Sequence, residues 1–245
     1  MKEEAKALKK DMADLEVLHR DSASLEHAIR EYDDQWHQFT PSRFIYTFFT
    51  FNTLYTIDWK VSLAKGKIVC YDDEDYPKKS EDEKFSDANR YHRYIDFCFR
   101  DKAFVKIYSE FFFDFIGQTY SKEEITKSLE KITIDVSTSG AIKTQDFIDR
   151  FRDAWNEILT SKTLKEEFCR RIVTFIYKIR CNIFHGAKTL KELHNPLQKK
   201  RIDIYAVFMI AINQMVFSYI DYLNGIDITY EFDSLRKDLN DKNYD

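Results

Sequence analysis

The sequence predicts an all-α fold, on three observations. Only five glycines and three prolines occur in 245 residues, and a β-sandwich or βαβ chain, with its many turns, could hardly be built with so few breakers. Long stretches free of Gly and Pro carry apolar side chains at steps of three and four, the period of a helix with one buried face. Aromatic residues make up 16% of the chain, which argues against a disordered polymer and supplies material for a core.

The elements follow in order. Residues 2 to about 38 place Leu8, Met12, Leu15, Leu18, Leu25, Ile29, Tyr32 and Trp36 in a narrow stripe on one long helix. Such a stripe suits either packing against the body of the same chain or a coiled-coil seam with a second copy. Pro41 marks a break, with Thr40 or Ser42 as the cap of a new helix. From Arg43 to about Leu63 the chain is apolar nearly all round and dense in aromatics, which predicts a central buried helix. Asn52 interrupts it; a buried amide needs partners, so it either bonds nearby backbone or faces a site.

Residues 64–88 are charge-dense and contain Pro77, the marks of an exposed insertion. Helical signals resume from about Asp87 to Gly117, as one or two helices. Ser121 and Glu124 have the spacing of a capping box and open a helix to about Ile132. Residues 133–144, β-branched and holding a glycine, read as a loop with room for a small strand pair. Thr144 or Asp146 then opens a helix to about Leu159, and another runs from about Thr163 to Ile183, stopped by Gly186. After Asn195-Pro196 comes a long apolar helix ending near Gly225. Asn213, Gln214 and Ser218 make it a poor membrane span and a better core helix. The domain layout is thus an N-terminal amphipathic helix over 1–40, a helical domain over 41–225 with the 64–88 insertion, and a tail over 226–245.

Composition narrows the function. Thirty-eight basic against 42 acidic residues give a net charge of −4, so nucleic-acid binding would need a local patch. Four cysteines without a C-x-x-C pair rule out the usual zinc spacings and give no sign of a disulfide framework. No metal or cofactor site is expected from the scattered histidines, and there is no P-loop, G-x-S-x-G or G-x-G-x-x-G. No apolar stretch opens the chain, so no signal peptide is expected, and the protein is read as cytoplasmic with no membrane partner.

One constellation carries chemistry: Arg180-Cys181-Asn182-Ile183-Phe184-His185-Gly186-Ala187-Lys188. Histidine can take the proton of a ribose 2′-OH or deliver one to a leaving 5′-oxygen. Arginine can clamp the phosphate and stabilise charge growing on its oxygens. Five residues at 3.6 per turn set Arg180 and His185 about 140° apart, so they converge only if Arg180 reaches round or the helix loosens. On spacing alone a helix-terminal cap serves as well, since the helix dipole favours a cation there. Cys181, four residues before His185, reads as a packed thiol rather than a nucleophile.

The run KIRCNIFHGAK resembles the signature of the HEPN superfamily (higher eukaryotes and prokaryotes nucleotide-binding domains), in particular the string R-N-N-L-F-H-G-G-K of its Apea-like ribonuclease branch. Arg180, Asn182, Phe184, His185, Gly186 and Lys188 match, with Ile183 for Leu and Ala187 for Gly. FTFNTLY, Phe49 to Tyr55, is similar to an aromatic helix of the same branch. The resemblance runs from about residue 42 to 224. It implies a HEPN-like bundle that pairs into a homodimer, and a metal-independent endoribonuclease leaving 2′,3′-cyclic phosphate ends. His185 would be the acid–base catalyst, Arg180 the phosphate clamp, Asn182 an orienting group, Asn52 a support from the facing helix, and Lys188 a contact to RNA backbone. A role in bacterial toxin or antiphage defence, with an antitoxin, sensor or activator as partner, is implied as well. Cys181 departs from the polar residue usual after the Arg, and family members with degraded sites are non-catalytic modules that bind RNA, nucleotide or protein. A branch controlled through a Tyr two residues after the His is set aside by Ala187.

Overall fold

A computed structural model of the chain describes residues 5–6, 9–10, 13, 16, 41–56, 87–130, 139–184, 195–229 and 232. Helix dominates, and no strand occurs among the described residues, so the fold is all-α. In chain order the helices are α1 (Pro41–Thr56), α2 (Asp87–Phe99), α3 (Lys102–Thr119), α4 (Lys122–Glu130), α5 (Ser139–Ser161), α6 (Glu166–Phe184) and α7 (Pro196–Leu223).

Local chemistry sets most of these bounds. The 87–117 stretch divides at Asp101, an N-cap whose carboxylate accepts from the backbone N–H groups of Ala103 (2.8 Å) and Phe104 (3.1 Å). Asp101→Ala is therefore expected to lower stability by about 1 kcal/mol, read as a shift in the urea midpoint at constant slope. The capping box before α4 forms as its spacing predicts. Glu124 N–H donates to Ser121 Oγ and Ser121 N–H donates to Glu124 Oε2, each at 3.1 Å. Asn195 caps α7 by accepting from Leu197 N–H at 3.0 Å, with Pro196 pre-set in the first turn.

At its other end α7 closes on Gly225, at φ +75°. Ile226 N–H donates to Asp221 O and Gly225 N–H to Tyr222 O, both at 3.0 Å, the paired bonds of a Schellman motif. A side chain at Gly225 would meet open space; it is the left-handed backbone that favours glycine there.

α7 is the centre of the fold. It packs against α1, α2, α3 and α6, while α2 also joins α1 to α6 and α5 lies on α6 and α4. Its residues from Ile204 to Asp221 are buried on every side. The helix has the length and hydropathy of a membrane span, yet 94% of its most apolar window is buried within the protein, as the core-helix reading expects. Phe208 sits in an aromatic cluster with Phe112, Phe151, Trp155 and Phe168, at ring separations of 5.3 to 6.4 Å. Trp155 keeps its indole N–H satisfied by Thr126 Oγ1 at 3.0 Å.

Two expectations are corrected. Residues 139–144, assigned to a loop or strand pair, form the first turns of α5, so Thr144 and Asp146 lie inside that helix and do not open it. One glycine costs a helix only about 1 kcal/mol, and extending a helix already fixed by Ile148, Phe151 and Trp155 is cheap. The helix at Pro41–Thr56 is also less buried than its composition suggests. Phe44, Phe48, Phe51, Leu54 and Tyr55 enter the core, but Tyr46 and Phe49 remain 44% and 46% exposed.

At the N-terminal stretch, Ala5 is buried and Lys9 pairs with Asp221 of α7, so this part lies against the body of its own chain. After α7, Phe232 stacks on Phe111 at 4.0 Å between ring centres. Residues 57–86 and Gly186 fall outside the described residues; of the 64–88 insertion only Asp87 and Ala88 are described, and they open α2.

Candidate functional site at the seam of α1 and α6

α6 is amphipathic: Phe168, Ile172, Phe175 and Ile176 are buried, with Ile179 packed at the edge of the core. Tyr177 and Arg180, three residues apart, share a second face. That face meets α1. The Arg180 guanidinium lies 5.5 Å from the centre of the Phe48 ring, and Tyr177 meets Tyr55 edge to face at 6.5 Å. Moving up α6 from 177 to 180 thus means moving down α1 from 55 to 48, so the two helices run antiparallel at this seam.

Asn52 lies on α1 between those two contacts, one turn after Phe48. It is half-buried, and its Oδ1 accepts from the Tyr55 hydroxyl at 2.6 Å. The partner is therefore a side chain one turn away on its own helix, not the nearby backbone that was one of the two arrangements the sequence left open. The fully buried amide is instead Asn213 on α7, which donates from Nδ2 to Thr47 O at 3.2 Å and ties α7 to α1.

The placement of the remaining sequence-derived residues is uneven. Arg180 is half-buried on α6, and Asn52, also half-buried, lies on α1 between the two residues that meet that helix. Asn182 is in the last turn of α6 by its backbone. His185 and Lys188 lie outside the described residues. Among the described residues no cluster of three or more His, Cys, Asp or Glu side chains is arranged to hold a metal ion. Cys98 and Cys169 are buried free thiols.

Sequence reading missed the aromatic wall beside the seam. Tyr91 of α2 lies 5.5 Å from Tyr177, 6.2 Å from Tyr55 and 6.3 Å from Phe51. The residues on α1 and α6 follow helical spacing, but nothing in the sequence announces that α2 joins them. Next to Tyr91, the His92 ring nitrogen Nε2 is 3.1 Å from Thr174 Oγ1. Arg170 bridges Asp96 (2.5 Å) and Glu166 (2.7 Å) beside it.

Burial, helped by the Arg170 charge, pushes the His92 imidazole down to about 4 from its ordinary 6.5. The unfolded chain then binds the proton that the folded chain refuses, so this contribution to stability is fully present above pH 6.5. It is lost as pH falls from about 6.5 toward about 4. At 1.36 kcal/mol per pH unit the loss is at most about 3 kcal/mol. Urea midpoints measured across that window are expected to fall less steeply in His92→Gln than in the parent.

Comparison with family models, curated proteins and solved structures finds no match.

Proposed function

We propose that this chain is a metal-independent endoribonuclease of the HEPN type, acting as a homodimer in the cytoplasm, in a toxin or antiphage-defence role. The observation that carries the reading is the run from Arg180 to Lys188 at the end of α6, with Arg180 seated against the helix that bears Phe49 to Tyr55. The helices that bear these two segments, about 130 residues apart, touch through Arg180–Phe48 and Tyr177–Tyr55.

In the proposed reaction the ribose 2′-oxygen attacks phosphorus and the bond to the 5′-oxygen breaks. Either His185 takes the 2′-OH proton while water protonates the leaving 5′-oxygen, or His185 protonates that oxygen while water takes the 2′-OH proton; the product is a 2′,3′-cyclic phosphate. Arg180 holds the non-bridging oxygens, where negative charge grows in the transition state. The Phe48 ring lies 5.5 Å from the guanidinium, within reach of a cation–π contact worth about 0.5–2 kcal/mol. Asn182 and Asn52 orient the site, and Lys188 takes a neighbouring phosphate as a point charge.

A second reading rests on Cys181. A thiol replaces the polar side chain usual after the arginine and offers only a weak donor, which suits a module that binds RNA, nucleotide or a protein partner without cutting. Incubation with synthetic RNA in EDTA separates the two. Cleavage with cyclic phosphate ends supports the nuclease, and intact RNA retained on the protein supports the binding module.

A further inference from the structure

Between Phe44 and Tyr55 of α1 the exposed residues are Tyr46, Phe49 and Thr53. At 3.6 residues per turn they fall within an arc of about 60°, away from the side that enters the core. Tyr46 and Phe49 are 44% and 46% exposed, and their rings meet edge to face, with 6.1 Å between centres and 86° between planes. Each ring restrains the other, so little side-chain freedom is left to lose when a ligand is laid against them. The other large apolar side chains exposed among the described residues, Leu197 and Ile226, are aliphatic and stand at opposite ends of α7.

The arc borders the seam with α6. Going round α1 from Tyr46, an ideal helix brings Phe49, then Asn52, then Phe48, at steps of about 60°, 60° and 40°. Phe48 is the ring that the Arg180 guanidinium approaches to 5.5 Å, and Asn52 is half-buried between it and the exposed rings. Phe49 and Asn52, three residues apart, are neighbours on the helix surface. A row of side chains thus leads from the guanidinium past an amide to two exposed rings.

Size and charge select the occupant. An aromatic side chain carries about 150–250 Å² to bury, so two rings less than half exposed offer roughly 200 Å² together. A stable contact with a second copy buries about 800 Å² on each side; the patch is too small for that and suits one or two nucleobases. From Pro41 to Thr56 α1 carries no Asp or Glu, in a chain with 42 acidic residues, so nothing on this helix repels a polyanion. Exposed rings beside a cation hold single strands with little regard to sequence, because every base has a π face.

We propose that Tyr46 and Phe49 form a base-stacking platform for single-stranded RNA, receiving the base of a nucleotide next to the phosphate that Arg180 holds. The platform rests on the ribonuclease reading for the identity of its ligand. It adds that the RNA is unpaired at this point and is held here by the faces of its bases, not by their edges.

The test uses the full chain and a 2′-O-methyl oligoribonucleotide, which lacks the attacking hydroxyl and is not cut. Its 5-iodouracil bases crosslink on irradiation to an aromatic ring stacked on them. Tyr46→Ala and Phe49→Ala remove the rings, Phe49→Leu keeps apolar surface without a π face, and Tyr46→Phe and Phe49→Tyr keep the rings. At positions this exposed, all five should melt within about 3 °C of the parent. Each Ala variant should bind the oligonucleotide about 5–150-fold more weakly, and Phe49→Leu should bind more like Phe49→Ala than like the parent. The ring-keeping variants should match the parent. The slope of log affinity against log salt should not change, since no phosphate contact is lost. Crosslinks should map to Tyr46 or Phe49, and a duplex of the same sequence, with its base faces already stacked, should compete poorly.

Parent-like binding by both Ala variants, or crosslinks that map elsewhere, overturns the proposal. A parent that sediments as a dimer beside Ala variants that sediment as monomers assigns the rings to a contact between copies and overturns it too. Unmodified RNA incubated in EDTA in parallel keeps the two readings apart. If the parent cuts while the Ala variants bind as it does, the platform falls and the nuclease stands. A parent that neither binds nor cuts ends both, and a parent that binds without cutting still passes or fails on the rings alone.

Discussion

His185→Ala is expected to lower the rate of RNA cleavage by about 10²–10⁴-fold, the usual contribution of a positioned general acid–base. Arg180→Ala should cost a comparable factor through lost transition-state charge stabilisation. The double variant should be little worse than either single one, because groups that act on one bond-breaking step are not additive. Arg180→Lys is the informative intermediate. It keeps a positive charge but loses the planar two-donor fork of the guanidinium, so it should recover only a small part of the rate. Single-turnover cleavage in EDTA, beside melting curves showing that the variants fold, measures all four. Activity that persists in His185→Ala would end the proposed mechanism and leave a contaminating nuclease as the source.

The largest stability effect is expected at Phe208→Ala. Its ring meets Phe112, Phe151, Trp155 and Phe168, which come from α3, α5 and α6. These partners are fixed by their own helices and cannot collapse far into the space left behind, so the loss is about 3–5 kcal/mol. That is a large share of the 5–15 kcal/mol typical of a folded protein, and it should appear as a fall in melting temperature of roughly 6–20 °C. Phe208→Leu keeps most of the volume and should cost less than half as much. Equal losses in the two variants would mean that the cluster is not tightly packed around this ring.

The sequence was most legible where a single residue does a local job. Asp101, Ser121 with Glu124, Asn195-Pro196 and Gly225 each act within one turn, but the 87–117 division was only one of two expectations because Asp101 competes with helix-forming neighbours. It was least legible where aromatic residues fill every arc of a helix. In α1, Phe44, Phe48, Phe51 and Tyr55 are buried while Tyr46 and Phe49 are exposed; hydrophobicity ranks them alike, and only the placement of α2 and α7 separates them. The same limit applies to Arg201, which stands in a Lys-Lys-Arg run that reads as a solvated face. Its burial is a tertiary fact that no window of sequence contains.

The candidate site was legible only in part, and for a related reason. Periodicity gave the helix that carries Arg180, but the link between its end and the helix of Asn52, about 130 residues away, entered through resemblance. The spacing of Arg180 and His185 would not have suggested it.

The position of α7 has a consequence for synthesis. The helix that α1, α2, α3 and α6 all lean on follows every one of them in chain order. As the polypeptide leaves the ribosome, the earlier helices emerge with their apolar faces uncovered and no core to receive them. Phe112 and Phe168 wait for Phe208, which is translated after both. The seam that seats Arg180 therefore gains its backing only once Pro196–Leu223 has emerged, and a nascent chain halted before that point would be a client for chaperones and carry no assembled site.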